Sequence, residues 1–226
     1  MPGRDWFWNA IARRYARMPV PDGASYDRKL EATRARLTPE SRVLEFGCGT
    51  GTTATRQAPH AGHVDAVDFA PEMLAIARSR AAEAGVGNIA FHEATVESFE
   101  APAESYDMVM MHSVLHLLDD PRAAVDKAAS LLKPGGWFVS STMALGEDGL
   151  PLMRLLLLPA SALGLLPRFT PFTGEALRAM IRGAGFEIVE DWKPAPRRAR
   201  FIVARKLGAF ASAANRLRAT RRATRR

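Results

Sequence analysis

The sequence predicts an α/β protein built on a doubly wound, mostly parallel sheet with helices on both faces. Three observations predict it. From residue 42 onward, short apolar or β-branched runs alternate with longer segments whose apolar residues recur at helical spacing. Several of those runs are continuously apolar, as strands covered on both faces must be. The chain has 226 residues, 47% hydrophobic and 24% charged, the composition of an ordinary globular protein with one principal core.

The predicted strands follow in order. They are RVLEFG (42–47), HVDAVD (63–68), NIAFHE (88–93), YDMVMMH (106–112), GWFVSST (136–142), FEIVEDW (186–192) and RFIVARK (200–206). Helices are expected at 51–58, 71–84, 121–132 and 173–183. Pro71 and Pro121 suit a first helical turn, with Asp68 and Asp119 or Asp120 as capping candidates, and Thr173 is the expected N-cap of the last helix. Gly85 and the Pro134-Gly135-Gly136 turn stop two helices. No internal repeat is present.

The net charge of +7 is unevenly spread. Residues 193–226 hold twelve Lys or Arg and no acid, leaving 19 basic and 24 acidic residues in 1–192, a net of −5. The acidic body disfavours a nucleic-acid-binding surface, whereas the tail alone suits phosphate of lipid or nucleic acid. The opening MPGRDWFWNA breaks up too early for a secretory signal, and the single Cys48 fits a reducing compartment. These features predict a cytoplasmic protein with no metal site.

The stretch VLEFGCGTGTTA (43–54) runs a strand into a glycine loop and a helix, a ligand site by geometry. Its glycines fall at 47, 49 and 51, so the spacing is G-x-G-x-G and departs from the G-x-G-x-x-G of dinucleotide binders. Glu45, two residues upstream, disfavours phosphate and suits a cationic ligand. Asp68 ends the second strand 21 residues after Gly47, where an acid accepts hydrogen bonds from ribose hydroxyls. An adenosine carrying an amino-acid tail and a sulfonium fits all three.

With VDFAPEMLAIAR (67–78), FHEATVESF (91–99), YDMVMMHSVLHLLDD (106–120) and LLKPGGWFV (131–139), the chain resembles the class I S-adenosylmethionine-dependent methyltransferases. The likeness is to their small-molecule branch, which includes ubiquinone and menaquinone methyltransferase-like proteins. It implies a Rossmann-like, seven-stranded sheet and S-adenosyl-L-methionine as cofactor. It divides the chain into a helical cap over the cofactor site (1–40), a methyltransferase domain (41–206) with an apolar lid at about 144–172, and a basic amphipathic or disordered tail (207–226). Gly47 and Gly49 would line the methionine part with Glu45 beneath, Cys48 and Gly51 would belong to the same cofactor-binding loop, and Asp68 would hold the ribose. Phe69 and Met73 would flank the adenine. Thr95 stands where the family usually has an Asp for the adenine amine, and the Val96 N–H would meet a ring nitrogen. His112 and Ser113 would line the methionine end, Ser113 facing the substrate. Tyr15 and Tyr26 lie in N-terminal segments that fold over the cofactor in related enzymes.

His112 and His116, four apart, would share a face if their segment is helical, and either then serves as a general base or only as local structure. Cys48 reads as a buried filler. The apolar stretch Leu150–Leu166, interrupted by Pro159 and carrying Arg154, reads as a substrate lid, a membrane-touching helix or a dimer interface. In the tail, Phe210, Ala214 and Leu217 share one face against Arg216, Arg218, Arg222 and Arg225, a pattern for an anionic membrane surface at the inner face. The expected acceptor is a small, hydrophobic molecule, quinone-like or lipid-like. An RNA-modifying enzyme and a non-catalytic cofactor-binding module are the alternatives.

Overall fold

The computed structural model describes residues 5–19, 22–144, 169–195 and 198–208. The apolar stretch 150–166 and most of the basic tail lie outside the described residues.

Seven strands form one sheet: β1 (Arg42–Phe46), β2 (His63–Asp68), β3 (Ile89–Glu93), β4 (Tyr106–His112), β5 (Leu132–Thr142), β6 (Phe186–Trp192) and β7 (Arg200–Lys206). Their order is β3-β2-β1-β4-β5-β7-β6. β1 pairs in parallel with β2 and β4, β2 with β3, and β4 with β5, while β7 runs antiparallel to both β5 and β6. The mostly parallel, doubly wound sheet is therefore present, and every expected strand is found.

Alternation along the strands divides the core in two. Leu44, Phe46, Val109, Met111, Phe138 and Ile202 join one cluster, and Val43, Val64, Met108, Met110, Val139 and Phe201 join the other. Helix α5 (Pro121–Leu131) and α6 (Gly174–Gly183) cover the first face through Val125, Ala128, Leu177 and Ile181. On the second face lie α3 (Thr52–Gln57), through Ala54, and α4 (Pro71–Glu83), through Leu74. Most residues of β1, β2 and β4 are thus buried whichever way they point, which is why those runs read as nearly unbroken apolar sequence.

The helix ends follow their local chemistry. Asp120 caps α5 by accepting from the Ala123 amide at 2.9 Å, and Thr173 caps α6 by accepting from Ala176 at 3.1 Å. Asp68 does not cap α4: its N-cap is Ala70, and the carboxylate is engaged at the glycine loop. The Pro134-Gly135-Gly136 turn lies within β5 as an irregularity, since the register with β4 jumps from Tyr106↔Leu132 to Met108↔Trp137. Gly135, at φ +79°, supplies the backbone for it.

Ahead of the sheet, α1 (Trp6–Arg17) packs on α4, with Ala12 against Ala70 and Met73. Helix α2 (Gly23–Arg34) packs on α3, where Gln57 donates to the Leu30 carbonyl at 3.2 Å.

Candidate functional site: the carboxyl ends of β1, β2 and β4

The strand order reverses between β1 and β4, and ligands of open α/β sheets bind beyond the carboxyl ends of strands at such a point. The glycine loop sits there. Gly47, Gly49 and Gly51 all have positive φ, at +66°, +53° and +71°. They differ in what surrounds them. A Cβ on Gly47 would come within 2.7 Å of Val114 Cγ2, and one on Gly51 within 2.7 Å of Ala77 Cβ, while one on Gly49 meets nothing within 4 Å. Gly47 and Gly51 therefore permit close packing, and Gly49 presents a bare backbone to open space.

Asp68 ties this loop to the start of α4. Oδ2 accepts from the Gly49 amide at 2.8 Å and Oδ1 from the Ala70 amide at 3.0 Å. Burial pushes the Asp68 carboxyl up, against the pull of those amides. Glu45 is 2% exposed, and its Oε2 has no hydrogen-bond partner. Burial raises its carboxyl to about 8, the Ala54 backbone opposes the shift, and the charge of Asp68 adds to it. Two buried carboxyl groups, one with an oxygen left without a partner, form a site whose chemistry suits a cation.

The N-terminal helices each bring a phenol to one of these acids. Tyr15 on α1 is 43% exposed, and partial desolvation of its phenol, then the charge of Asp68, raises it. Tyr26 on α2 bonds Thr53 Oγ1 at 3.2 Å and is raised by burial and by the charge of Glu45. Arg80 on α4 straps the loop down, donating to the Thr50 carbonyl, to Thr50 Oγ1 at 2.8 Å, to Thr52 Oγ1 at 2.6 Å and to the Ala16 carbonyl at 3.5 Å.

The remaining expected residues are distributed as follows. Cys48 is buried and its thiol is pushed well up by that burial, so it packs and does not react. Phe69 follows Asp68 at the end of β2, half-buried, while Met73 is enclosed in the cluster beneath α1. Thr95 is tied up in a turn, its amide and hydroxyl bonding Ser98 Oγ at 2.9 and 3.2 Å, and Val96 is buried in the first core cluster.

His112 ends β4, and the chain then bends through Ser113, at φ +58°, into a 3₁₀ turn at Leu115–Leu117. His112 and His116 therefore do not share an α-helical face, because the left-handed Ser113 separates them. Both imidazoles are lowered to about 4, His112 by burial and the nearby Lys29 ammonium, His116 by burial. The His116 ring stacks on Phe169 at 6.4 Å. A base of pKa about 4 is a weak proton acceptor at neutral pH.

Sequence reading missed Arg80, Lys29 and Ser141. Lys29 follows Tyr26 by three and precedes Thr33 by four on the buried side of α2, so helical period was a usable signal for it. The hydroxyl run Ser140-Ser141-Thr142 at the end of an apolar strand was another. For Arg80, which acts across 28 and 64 residues of sequence, there was none.

A seven-stranded sheet of this order with a glycine loop after β1 and an acid after β2 defines a Rossmann-like α/β ligand-binding protein. Residues 43–136 match the family model described as a methyltransferase domain. The match makes residues 43–136 a methyltransferase domain, less than half of the chain. Among curated proteins it is 36% identical over 131 residues to a ubiquinone biosynthesis O-methyltransferase of Paracidovorax citrulli, covering 57% of this chain and 54% of that one. It is also 37% identical over 105 residues to the uncharacterized methyltransferase YcgJ of Bacillus subtilis, covering 46% of this chain and 42% of that one. The chain thus spans about half the length of the curated relatives it matches. The crystal structure of YcgJ superposes with a TM-score of 0.65 at 22% identity, covering 81% of this chain and all of that chain. A phosphoethanolamine N-methyltransferase of Haemonchus contortus, solved with S-adenosylhomocysteine, gives a TM-score of 0.68 at 17% identity over 81% of this chain and 53% of that one. The structural likenesses establish the fold.

Proposed function

We propose that the protein binds S-adenosylmethionine at the carboxyl ends of β1 and β2 and moves its methyl group to a small lipophilic acceptor, quinone-like or lipid-like. The observation that carries the reading is the buried Glu45 carboxyl, one oxygen of which has no hydrogen-bond partner, next to a glycine loop whose Gly49 backbone is open. A phosphate cradle has no use for that carboxyl, whereas a cationic ligand does. The cofactor, when bound, supplies a methyl group already activated on a sulfonium.

The chain's own residues do the rest. Gly49 admits the ligand backbone, Glu45 ionises against its positive charge, and Asp68 offers its remaining lone pairs to ribose hydroxyls. Tyr15 and Tyr26 close the site from the N-terminal side, and aromatic rings there favour a cation. With both histidines weak as bases, positioning dominates, and holding donor and acceptor in line supplies about 7 to 11 kcal/mol. The name of the Paracidovorax relative supports oxygen as the receiving atom.

Isothermal titration with S-adenosylhomocysteine and NADH, on the wild type and on Asp68→Ala, tests the cofactor. Binding of S-adenosylhomocysteine that Asp68→Ala weakens is expected, and binding of NADH alone would overturn the reading. The basic tail is proposed to rest on anionic lipid. Flotation with anionic vesicles, with and without residues 207–226, checks this, and a full chain that does not float removes it.

A further inference from the structure

Helix α1 has two sides, and the cofactor reading uses only the inner one. That side is fastened to the body: Ala12 packs against Ala70 and Met73, Asn9 Oδ1 accepts from the Glu72 amide at 3.2 Å, and the Ala16 carbonyl accepts from Arg80 at 3.5 Å. At 3.6 residues per turn, the face opposite Ala12 carries Trp6, Phe7, Ala10, Arg13, Arg14 and Arg17. The contacts of the inner side hold that face outward.

Two things set this outer face apart. Arg13, Arg14 and Arg17 are exposed, α1 contains no acid, and among the described residues none of the three has an ion-pair or hydrogen-bond partner. Beside them stand apolar groups in water: Trp6 is 39% exposed, and Met18, just past the end of the helix, is 59% exposed. Trp6 also leads inward. Its ring meets Phe7 edge to face at 5.9 Å, Phe7 meets Trp8 at 5.3 Å and Trp8 meets Tyr15 at 6.3 Å, so a row of rings runs from the free face to the phenol beside the cofactor site. Exposed arginines alone are ordinary surface. Flanked by an exposed indole and a thioether, they are the makeup of a helix that lies in a lipid interface, where the apolar groups enter the acyl boundary and the guanidinium groups meet phosphate.

We propose that the outer face of α1 docks on an anionic lipid surface, with Arg13, Arg14 and Arg17 on headgroup phosphates and Trp6 and Met18 at the acyl boundary. Met18 gains from hydrocarbon and has nothing to offer a nucleic-acid strand, and the 24 acidic against 19 basic residues of 1–192 oppose a long polyanion laid along the body. A lipid plane touches one face only. Because the inner side of the same helix closes the cofactor site, docking sets the mouth of that site against the lipid, and a lipophilic acceptor reaches it without crossing water. That consequence rests on the methyl-transfer reading, whereas the lipid contact itself does not, and it makes no use of the basic tail.

The test follows the tryptophan fluorescence of the full chain mixed with vesicles of phosphatidylglycerol brominated on its acyl chains, a short-range quencher. The four tryptophans are Trp6, Trp8, Trp137 and Trp192, none of them in the tail, so the signal reports the body. Quenching is expected with brominated phosphatidylglycerol and not with brominated phosphatidylcholine. The variant carrying Arg13→Gln, Arg14→Gln and Arg17→Gln is expected to need about tenfold or more lipid for half-maximal quenching, since each basic residue near such a surface strengthens binding several-fold. Trp6→Phe is expected to lose most of the quenching. A melting curve reports whether the triple variant folds; where it does not, Arg14→Gln alone takes its place and is expected to need severalfold more lipid. No quenching of the wild type, quenching unaltered in the folded arginine variant or in Trp6→Phe, or release from the vesicles by an equimolar single-stranded oligonucleotide overturns the proposal. Flotation without quenching assigns the contact to the tail and overturns it too. Failure of S-adenosylhomocysteine to bind the wild type overturns the methyl-transfer reading instead, and the quenching still reports the lipid contact.

Discussion

Glu45 sets folding and ligand binding against each other. In the unfolded chain its carboxyl ionises near 4.5 and in the folded protein near 8, so the folded state binds the extra proton between those values. Stability from this group is intact below about 4.5 and falls as pH rises toward 8, by roughly 1.4 kcal/mol per unit and several kcal/mol in all. Glu45→Gln is expected to raise the melting temperature at pH 8 and to leave it unchanged near pH 4, while weakening S-adenosylmethionine binding; thermal denaturation and calorimetry measure the two. The three glycines separate likewise. Each alanine bears a left-handed penalty of about 1 kcal/mol, to which Gly47→Ala and Gly51→Ala add steric overlap with Val114 and Ala77. Urea unfolding should show Gly49→Ala as the mildest of the three, and ligand titration should show it impaired. The acids and glycines of this loop were legible because chemistry and spacing coincide within a few residues. For Lys29 helical period marks the buried side of α2, but its partner Ser141 was not legible, because it lies 112 residues away.

At the scale of elements, two devices hold the sheet's polar groups. Arg80 joins α4 to the loop and to α1, so Arg80→Ala is expected to cost about 1 to 3 kcal/mol and to speed amide exchange in α1 ahead of the sheet. Asp65, 3% exposed on β2, accepts from His92 at 2.7 Å, Tyr106 Oη at 2.9 Å, Arg42 at 3.0 Å and His63 at 3.3 Å. Burial pushes its carboxyl up, and the four donors outweigh that and hold it low. Asp65→Ala strands the buried Tyr106 hydroxyl and should cost about 1 to 3 kcal/mol in urea unfolding. Strands and helix caps were readable element by element, since period and capping are local. The β5 irregularity at Gly135 and the left-handed Ser113 were not, because each is settled by the neighbouring strand.

For the whole molecule, buried groups of opposite kind set the pH profile. His112 and His116, lowered to about 4, bind fewer protons folded than unfolded, so their contribution is present above about 6.5 and is lost as pH falls through 4. Glu45 acts in the reverse sense up to about 8. Between about 4.5 and 6.5 two histidines oppose one carboxyl, and above that the carboxyl acts alone. Stability is therefore expected to peak near pH 6.5, and His116→Gln should flatten the acid limb in a melting series across pH 4 to 9. Among the described residues no helix is long and apolar enough to cross a membrane.

The placement of β7 bears on the order of events during synthesis. It lies between β5 and β6 yet follows both in the chain. While a ribosome is still making residues 193–206, β5 has one bare edge and β6 has no neighbour in the sheet to join. The parallel half can assemble as it emerges, but the other half must wait for its last strand. A nascent chain stalled before β7 would therefore offer an unpaired edge to other chains, and chaperone capture of stalled chains should fall once Lys206 has cleared the exit.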